Sequence, residues 1–333
     1  MRDERAIATF GEGLTPIVPL RPPPGAEGLV LSAKDDGVLP TGSFKARGMA
    51  VAISRAAELG LRSFFLPSAG NAGLAAAAYA ARAGLAVRVY VPRNTPAAQR
   101  LGARTFGAEV IEVGETLRET GQEARRREAT AGAFDLSTLR EPYRVEGKKT
   151  MGFEMFEQLG PTELPDAIVY PTGGGTGLIG LSKAFRELRA IGLVSGTPRL
   201  IAVQPEGCAP IVRALREGAP RAVPWEDPRT IAPGLLVPSP FASERILEAV
   251  RESHGGGETV SDAEIREARG TLGRAEGLAV SPEAAAPYAA LPALVRRGVL
   301  REGERVLLYL TGSGLPFLST DREPGGPPVP SPG

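Results

Sequence analysis

The sequence predicts an α/β protein organised around a mostly parallel sheet, and three observations carry that prediction. Short apolar runs alternate with amphipathic stretches along nearly the whole chain, the order of repeated strand–helix–strand units. Several runs are apolar at every position, as strands covered on both faces are. Several helical stretches carry a start or stop signal of their own. The 333 residues suffice for about two domains, taking roughly 150 residues for each.

The first helix is expected over 44–59, with Thr41 and Ser43 as N-cap candidates and Gly60 closing it. Thr41 or Ser43 as cap puts Lys45 in the first helical turn. A strand at 63–66, rich in Phe and Leu, leads to an alanine-rich helix at 72–83 that Gly84 ends. Strands at 86–91 and 109–113 alternate with helices at 95–106 and 115–131, and a further helix is expected at 146–159. The apolar strand 167–170 feeds a helix at 177–191, and 200–203 is the next strand. Residues 218–240 hold Pro220, Pro224, Pro228, Pro233, Pro238 and Pro240 and read as a long loop. Helices follow at 243–252, 262–276 and 282–297, the second opened by the capping-box spacing Ser261-Asp262-Ala263-Glu264. Strand 305–310 is the last element. The tail 320–333 is too rich in Pro and Gly to bury a core and reads as disordered.

Composition excludes several classes of function. Hydrophobic residues at 42% and charged residues at 23% are ordinary for a soluble globular chain. A net charge of +1 with no basic block gives no footprint for nucleic acid. The alanine-rich stretch 72–83 contains Arg82 and is too short to span a bilayer, so no membrane association is expected. The N-terminus Met1-Arg2-Asp3-Glu4-Arg5 lacks a signal peptide's apolar core, and a cytoplasmic location is expected. A lone Cys208 and a lone His254 rule out an internal disulfide and a Cys/His metal centre, so no metal is expected. A Ser-His-Asp triad would need His254, which reads as part of a solvated loop beside Gly255-Gly256-Gly257. Lysine is scarce: Lys34, Lys45, Lys148, Lys149 and Lys183 are the only candidates for work that needs an amine.

Four loops at strand or helix ends carry the chemistry, because ligands of open α/β sheets sit at the carboxyl ends of strands. Pro171-Thr172-Gly173-Gly174-Gly175-Thr176-Gly177 leaves a strand and opens a helix, where bare backbone N–H groups can converge on a phosphate. A tight glycine turn is the alternative. Gly175 to Gly180 also satisfies G-x-G-x-x-G, but the acid a dinucleotide needs would be Glu206, late and behind Pro205. No Gly-Lys-Ser/Thr follows, so it is not a Walker loop. In the second loop, Lys45 stands where a helix N-terminus already carries partial positive charge, which lowers the pKa of an amine as an imine-forming nucleophile requires. An ordinary surface lysine is the competing reading. Ser68-Ala69-Gly70-Asn71 and Thr311-Gly312-Ser313-Gly314 are small, polar junctions that could aim hydroxyls and amides into a cleft, or be turns alone.

Together these four loops resemble the fold-type II pyridoxal-phosphate enzymes, over nearly the whole chain apart from the tail. The resemblance implies two open, mostly parallel twisted sheets, a smaller mobile domain (46–143) being inserted in a larger one (1–45 and 144–319). It implies that Lys45 carries pyridoxal 5'-phosphate as a Schiff base. Asn71 would bond the ring hydroxyl, Gly173, Gly174, Gly175, Thr176 and Gly177 the phosphate, and Thr311 would face the pyridine nitrogen. A neutral hydroxyl at that nitrogen leaves it less protonated than a carboxylate would.

Within that family the chain is most similar to the threonine synthase branch. Gly11-Glu12-Gly13-Leu14-Thr15-Pro16, the segment Tyr143 to Thr150, and Leu310-Thr311-Gly312-Ser313-Gly314-Leu315 resemble its signatures. That likeness implies conversion of O-phosphohomoserine and water to threonine and phosphate, with Ser68 and Arg144 on the substrate's phosphate, and a homodimer as assembly. The chain departs from the pattern at Ala46, Ala69 and Pro316; alanine at 69 removes one hydroxyl from the anion site. A serine/threonine dehydratase-like ammonia-lyase is the alternative enzyme, and a non-catalytic binding protein the alternative of another class.

Overall fold

The computed structural model describes residues 1–95 and 97–317, and the tail expected to be disordered lies outside them. In chain order the strands are β1 (Ile17–Pro19), β2 (Val30–Asp35), β3 (Ser63–Pro67), β4 (Ala86–Val91), β5 (Glu109–Glu112), β6 (Phe134–Asp135), β7 (Ala167–Pro171), β8 (Arg199–Pro205), β9 (Gly256–Val260) and β10 (Arg305–Leu310). The helices are α1 (Lys45–Glu58), α2 (Asn71–Arg82), α3 (Ala97–Thr105), α4 (Leu117–Glu128), α5 (Tyr143–Leu159), α6 (Thr176–Ala190), α7 (Pro210–Arg216), α8 (Ser243–Glu252), α9 (Asp262–Glu276) and α10 (Pro282–Arg296).

Two sheets result. One runs β1-β2-β10-β7-β8-β9, parallel except for β1; the other runs β5-β4-β3-β6 and is parallel throughout. Alternate residues of the large sheet enter different cores, as the two-residue period of a strand demands. Val169, Ile201, Val203 and Leu308 pack with α9 and α10, whereas Ile168, Tyr170, Ala202 and Leu307 pack with α5, α6 and α8. The small sheet repeats the arrangement. Phe64, Leu66 and Val89 meet α1 and α2, while Phe65 and Tyr90 meet Ala124 of α4.

Sequence periodicity missed β1, β2, β6, β9 and α7, and several of these misses have a physical cause. β2 carries Lys34, wholly buried, whose charge is met by Glu154 far along the chain. The glycines of β9 read as a loop around His254, yet Gly256 and Gly257 are strand residues. A Cβ on Gly257 would meet Leu215 and Val212 of α7 at 2.9 and 3.1 Å, so the glycine is there for close packing. α7 spans only 7 residues and opens on Pro210. Thr41 and Ser43 do not cap α1: Phe44 is the N-cap residue, without a side-chain bond, and both hydroxyls are buried with no partner. Those hydroxyls are drawn inward because the loop is stitched to 311–313 instead.

Candidate active site

The helix bearing Lys45 is positioned by backbone pairing between two loops. Phe44 N–H donates to the Thr311 carbonyl at 3.0 Å, and Ser313 N–H to the Gly42 carbonyl at 2.8 Å. Gly42 makes the turn with φ +67°, a conformation a side chain resists. Lys45 is therefore the first residue of α1, beside Thr311, at the carboxyl end of β10.

Lys45 keeps part of its surface accessible, while its amine is surrounded by protein. Burial pushes the amine down to about 7, the Arg144 guanidinium adds to the shift, and the Glu283 carboxylate opposes it. The direction is the one expected of a residue at a helix N-terminus, but burial is the leading cause. At that value a large share of the amine is uncharged at neutral pH.

Arg144 is 5% exposed, in the first turn of α5, which begins three residues earlier than periodicity indicated. Its guanidinium donates to the Leu136 carbonyl at 2.8 Å, and its backbone N–H to Glu141 at 3.0 Å. Among the described residues no carboxylate reaches it within salt-bridge distance, and burial lowers its pKa despite Glu141 and Asp135 nearby. A buried arginine without an ion pair is costly by itself. It becomes favourable when an anion arrives.

The glycine loop is a cradle with no room for side chains on three sides. A Cβ on Gly173 would fall 2.4 Å from the Gly234 carbonyl, one on Gly175 2.2 Å from Ile246, and one on Gly177 1.9 Å from the Tyr170 hydroxyl. Gly174 has only Thr138 near it, at 3.9 Å, and borders the opening. Gly175 adopts φ +70° as N-cap of α6, so the backbone N–H groups of Thr176 and Gly177 begin a 15-residue helix there. A chain of contacts joins this loop to Lys45: Glu283, whose charge Lys45 feels, accepts from Gly234 N–H at 2.7 Å, and Gly234 packs on Gly173.

Ser68 and Asn71 sit at the carboxyl end of β3, on the small sheet. The Ser68 hydroxyl accepts from Gly73 N–H at 3.0 Å and Gly70 N–H at 3.4 Å, shaping the turn into α2, whose first residue is Asn71. Thus the structure brings Lys45, Arg144, Thr311 and Gly173 to Gly177 into one neighbourhood. Among the described residues, the side-chain hydrogen bonds of Ser68 stay within its own turn. Sequence reasoning missed Glu283 and Lys148, a second buried amine against the Phe44 ring. The scarcity of lysine was the available signal for Lys148; Glu283 carried none.

Comparison with known proteins places the chain by family and by fold. The family model described as "Pyridoxal-phosphate dependent enzyme" matches residues 8–312. Threonine synthase of Methanosarcina acetivorans is 37% identical over 311 residues, 93% of this chain and 76% of that protein. Threonine synthase of Methanocaldococcus jannaschii is 34% identical over 317 residues, 95% and 78% of the two chains. Among solved structures, a threonine deaminase from T.th. superposes with a TM-score of 0.76 at 30% identity, covering 93% of this chain and 95% of its own. Maize serine racemase, 22% identical, shares the fold with a TM-score of 0.78 over 92% and 91% of the two chains.

Proposed function

The chain belongs to the pyridoxal-phosphate dependent enzyme family, and from that premise we propose that it is a threonine synthase, converting O-phosphohomoserine and water to L-threonine and phosphate. Support comes from the threonine synthases that match it over more than nine-tenths of its length. The observation that carries the reading is Arg144: a buried guanidinium, unpaired by any carboxylate among the described residues, whose charge acts on the Lys45 amine that burial brings to about 7.

The residues present fit the cofactor. Gly173 to Gly177 form a cradle that Cβ atoms would fill, at the start of α6, suited to a phosphate. Lys45 supplies an amine whose uncharged form is accessible. Thr311 offers a neutral hydroxyl for the ring nitrogen, and Asn71 an amide for the ring hydroxyl. When bound, the cofactor supplies an electron sink for the charge left at the substrate's α carbon.

The protein's share of the reaction lies in proton handling, anion binding and exclusion of water. With its pKa near 7, Lys45 can take a proton at the α carbon and return one at neutral pH, the range where general acid–base exchange works best. Arg144 offers a planar fork to the substrate's phosphate, and Ser68 a hydroxyl at the small sheet's edge. The unit 46–143 carries Ser68 and Asn71; its movement toward the larger unit closes the cleft until phosphate has left the γ carbon, after which water enters and adds at the β carbon. By the same likeness the protein is read as a cytoplasmic homodimer; among the described residues no helix is long and apolar enough to cross a membrane.

Replacing Arg144 with alanine should lower phosphate release from O-phosphohomoserine roughly 100-fold, chiefly through KM. Unchanged turnover would remove Arg144 from the phosphate site. A serine/threonine dehydratase-like lyase is the second reading, favoured by Ala69, which leaves the anion site one hydroxyl short, and by the likeness to the deaminase structure. Ammonia released from threonine, with no phosphate released from O-phosphohomoserine, would establish it.

A further inference from the structure

Lys148 lies on α5 one turn beyond Arg144, in a slot that three helices leave for it. A Cβ on Gly48 of α1 would come within 3.1 Å of its Nζ, and one on Gly180 of α6 within 2.4 Å of its Cβ. The residue is 1% exposed. Its amine donates to the Phe44 carbonyl, the peptide group leading into Lys45, and stands 4.3 Å from the centre of the Phe44 ring. The Lys45 amine stands 3.8 Å from the same centre. Two amines thus share one ring.

Lys34 shows what a charged buried lysine requires in this protein. Its ammonium has Glu154 at 3.0 Å, Gln158 at 2.8 Å and the Thr15 carbonyl at 3.0 Å. Lys148 has one carbonyl, and among the described residues no carboxylate within salt-bridge distance. The charged groups facing it are Lys45 and Arg47 on α1, Arg144 on its own helix, and Asp36 from the turn after β2. Asp36 is the only acid among them, and both its oxygens are bonded to Arg47 at 2.7 and 2.8 Å. Lys45 in turn faces Arg144 and Glu283 of α10. An unpaired buried ammonium is costly, whereas a neutral amine with one donated bond costs far less.

We propose that Lys148 is a positioning residue that stays uncharged around neutral pH, so that whatever positive charge the two buried amines carry beside the Phe44 ring lies on Lys45. Burial first, then Lys45 and Arg144, push its amine well below the ordinary lysine range, in agreement with that geometry. A permanent cation at this position would oppose every protonation of Lys45. An amine that holds no proton does not. The inference rests on Lys45 as the cofactor-bearing amine, not on the identity of the substrate.

The test uses cofactor-loaded protein labelled with nitrogen-15 at the lysine side chains, where five lysines give five signals assigned by single substitutions. Between pH 6 and 8, Lys34 should report an ammonium and Lys148 a neutral amine. An ammonium shift for Lys148 throughout that range overturns the proposal. Lys148→Arg and Lys148→Met provide a second readout, the pH midpoint of the loaded protein's visible absorbance. The arginine variant should lower it by about one pH unit, and the methionine variant should leave it in place. A merely structural Lys148 gives the opposite ranking, with arginine preserving the bond to Phe44 and methionine the damaged variant. Should the arginine variant fail to fold, the nitrogen spectrum of the wild type decides. Persistence of the visible band in Lys45→Ala would instead show that the cofactor assignment itself had failed.

Discussion

At the scale of single residues, the environment of Lys45 makes a lysine behave unlike a lysine. An exposed amine with an ordinary pKa near 10.4 is almost wholly charged at pH 7. Here burial and Arg144 bring it to about 7, so the reactive form is available where the enzyme works. The sign follows from the lowered value: the uncharged fraction rises with pH through about 7 and is complete well above it. Uptake of pyridoxal phosphate by the unloaded protein, followed by its visible absorbance, should therefore accelerate up to pH ~8 and then level off. A rate that keeps climbing to pH ~10 would mean an ordinary amine. This residue was legible in the sequence because lysines are few and its loop is distinctive. That Arg144 lowers its pKa, and that Glu283 faces it, was not legible, since Arg144 approaches from a helix about 100 residues away and Glu283 from α10.

Glycines let helices α1, α5 and α6 approach each other closely, alongside side-chain packing such as Met151 against Leu181 and the pair Arg47–Glu154. A Cβ on Gly147 of α5 would lie 2.1 Å from the Arg47 carbonyl of α1, and one on Gly152 2.7 Å from Ala184 of α6. Such close backbone approach keeps the Lys45 helix tight against the helix of Arg144 and Lys148. Gly147→Ala should cost about 1–3 kcal/mol or more, because backbone cannot yield as a side chain does. Gly273→Ala in α9, where nothing lies within 4 Å, should stabilise by about 0.5–1 kcal/mol from helix propensity alone. Denaturant titrations of the two variants check the contrast, and equal effects would refute the close-packing explanation. Periodicity found most of the helices, since their apolar stripes are local features. It could not show which glycines are contact points, because that depends on partners from other helices.

For the molecule as a whole, a buried charged network ties the active-site helix to the large sheet. Arg47, two residues after Lys45, bonds Asp36 and Glu154; Glu154 also pairs with Lys34 of β2. Burial alone would raise the Glu154 carboxyl, but Arg47 and Lys34 outweigh it and hold it below the usual range. Such networks specify an arrangement more than they stabilise it. The alternation of fully apolar strands with helices made the parallel α/β class readable. The placement of β2 was not readable, because its buried lysine looks like surface until Glu154 arrives to neutralise it. The loops proposed to carry chemistry stand out for a general reason: in a parallel sheet they leave the carboxyl ends of strands, where Thr311 follows β10 and Gly173 follows β7.

The most direct test of the function combines cofactor and substrate in one assay. Purified protein loaded with pyridoxal phosphate is given O-phosphohomoserine, and threonine and phosphate are both counted. Equal amounts of the two products, abolished by Lys45→Ala together with the visible absorbance, are the expected result. Protein that takes up no pyridoxal phosphate, or that leaves O-phosphohomoserine intact while releasing ammonia from threonine, would contradict it.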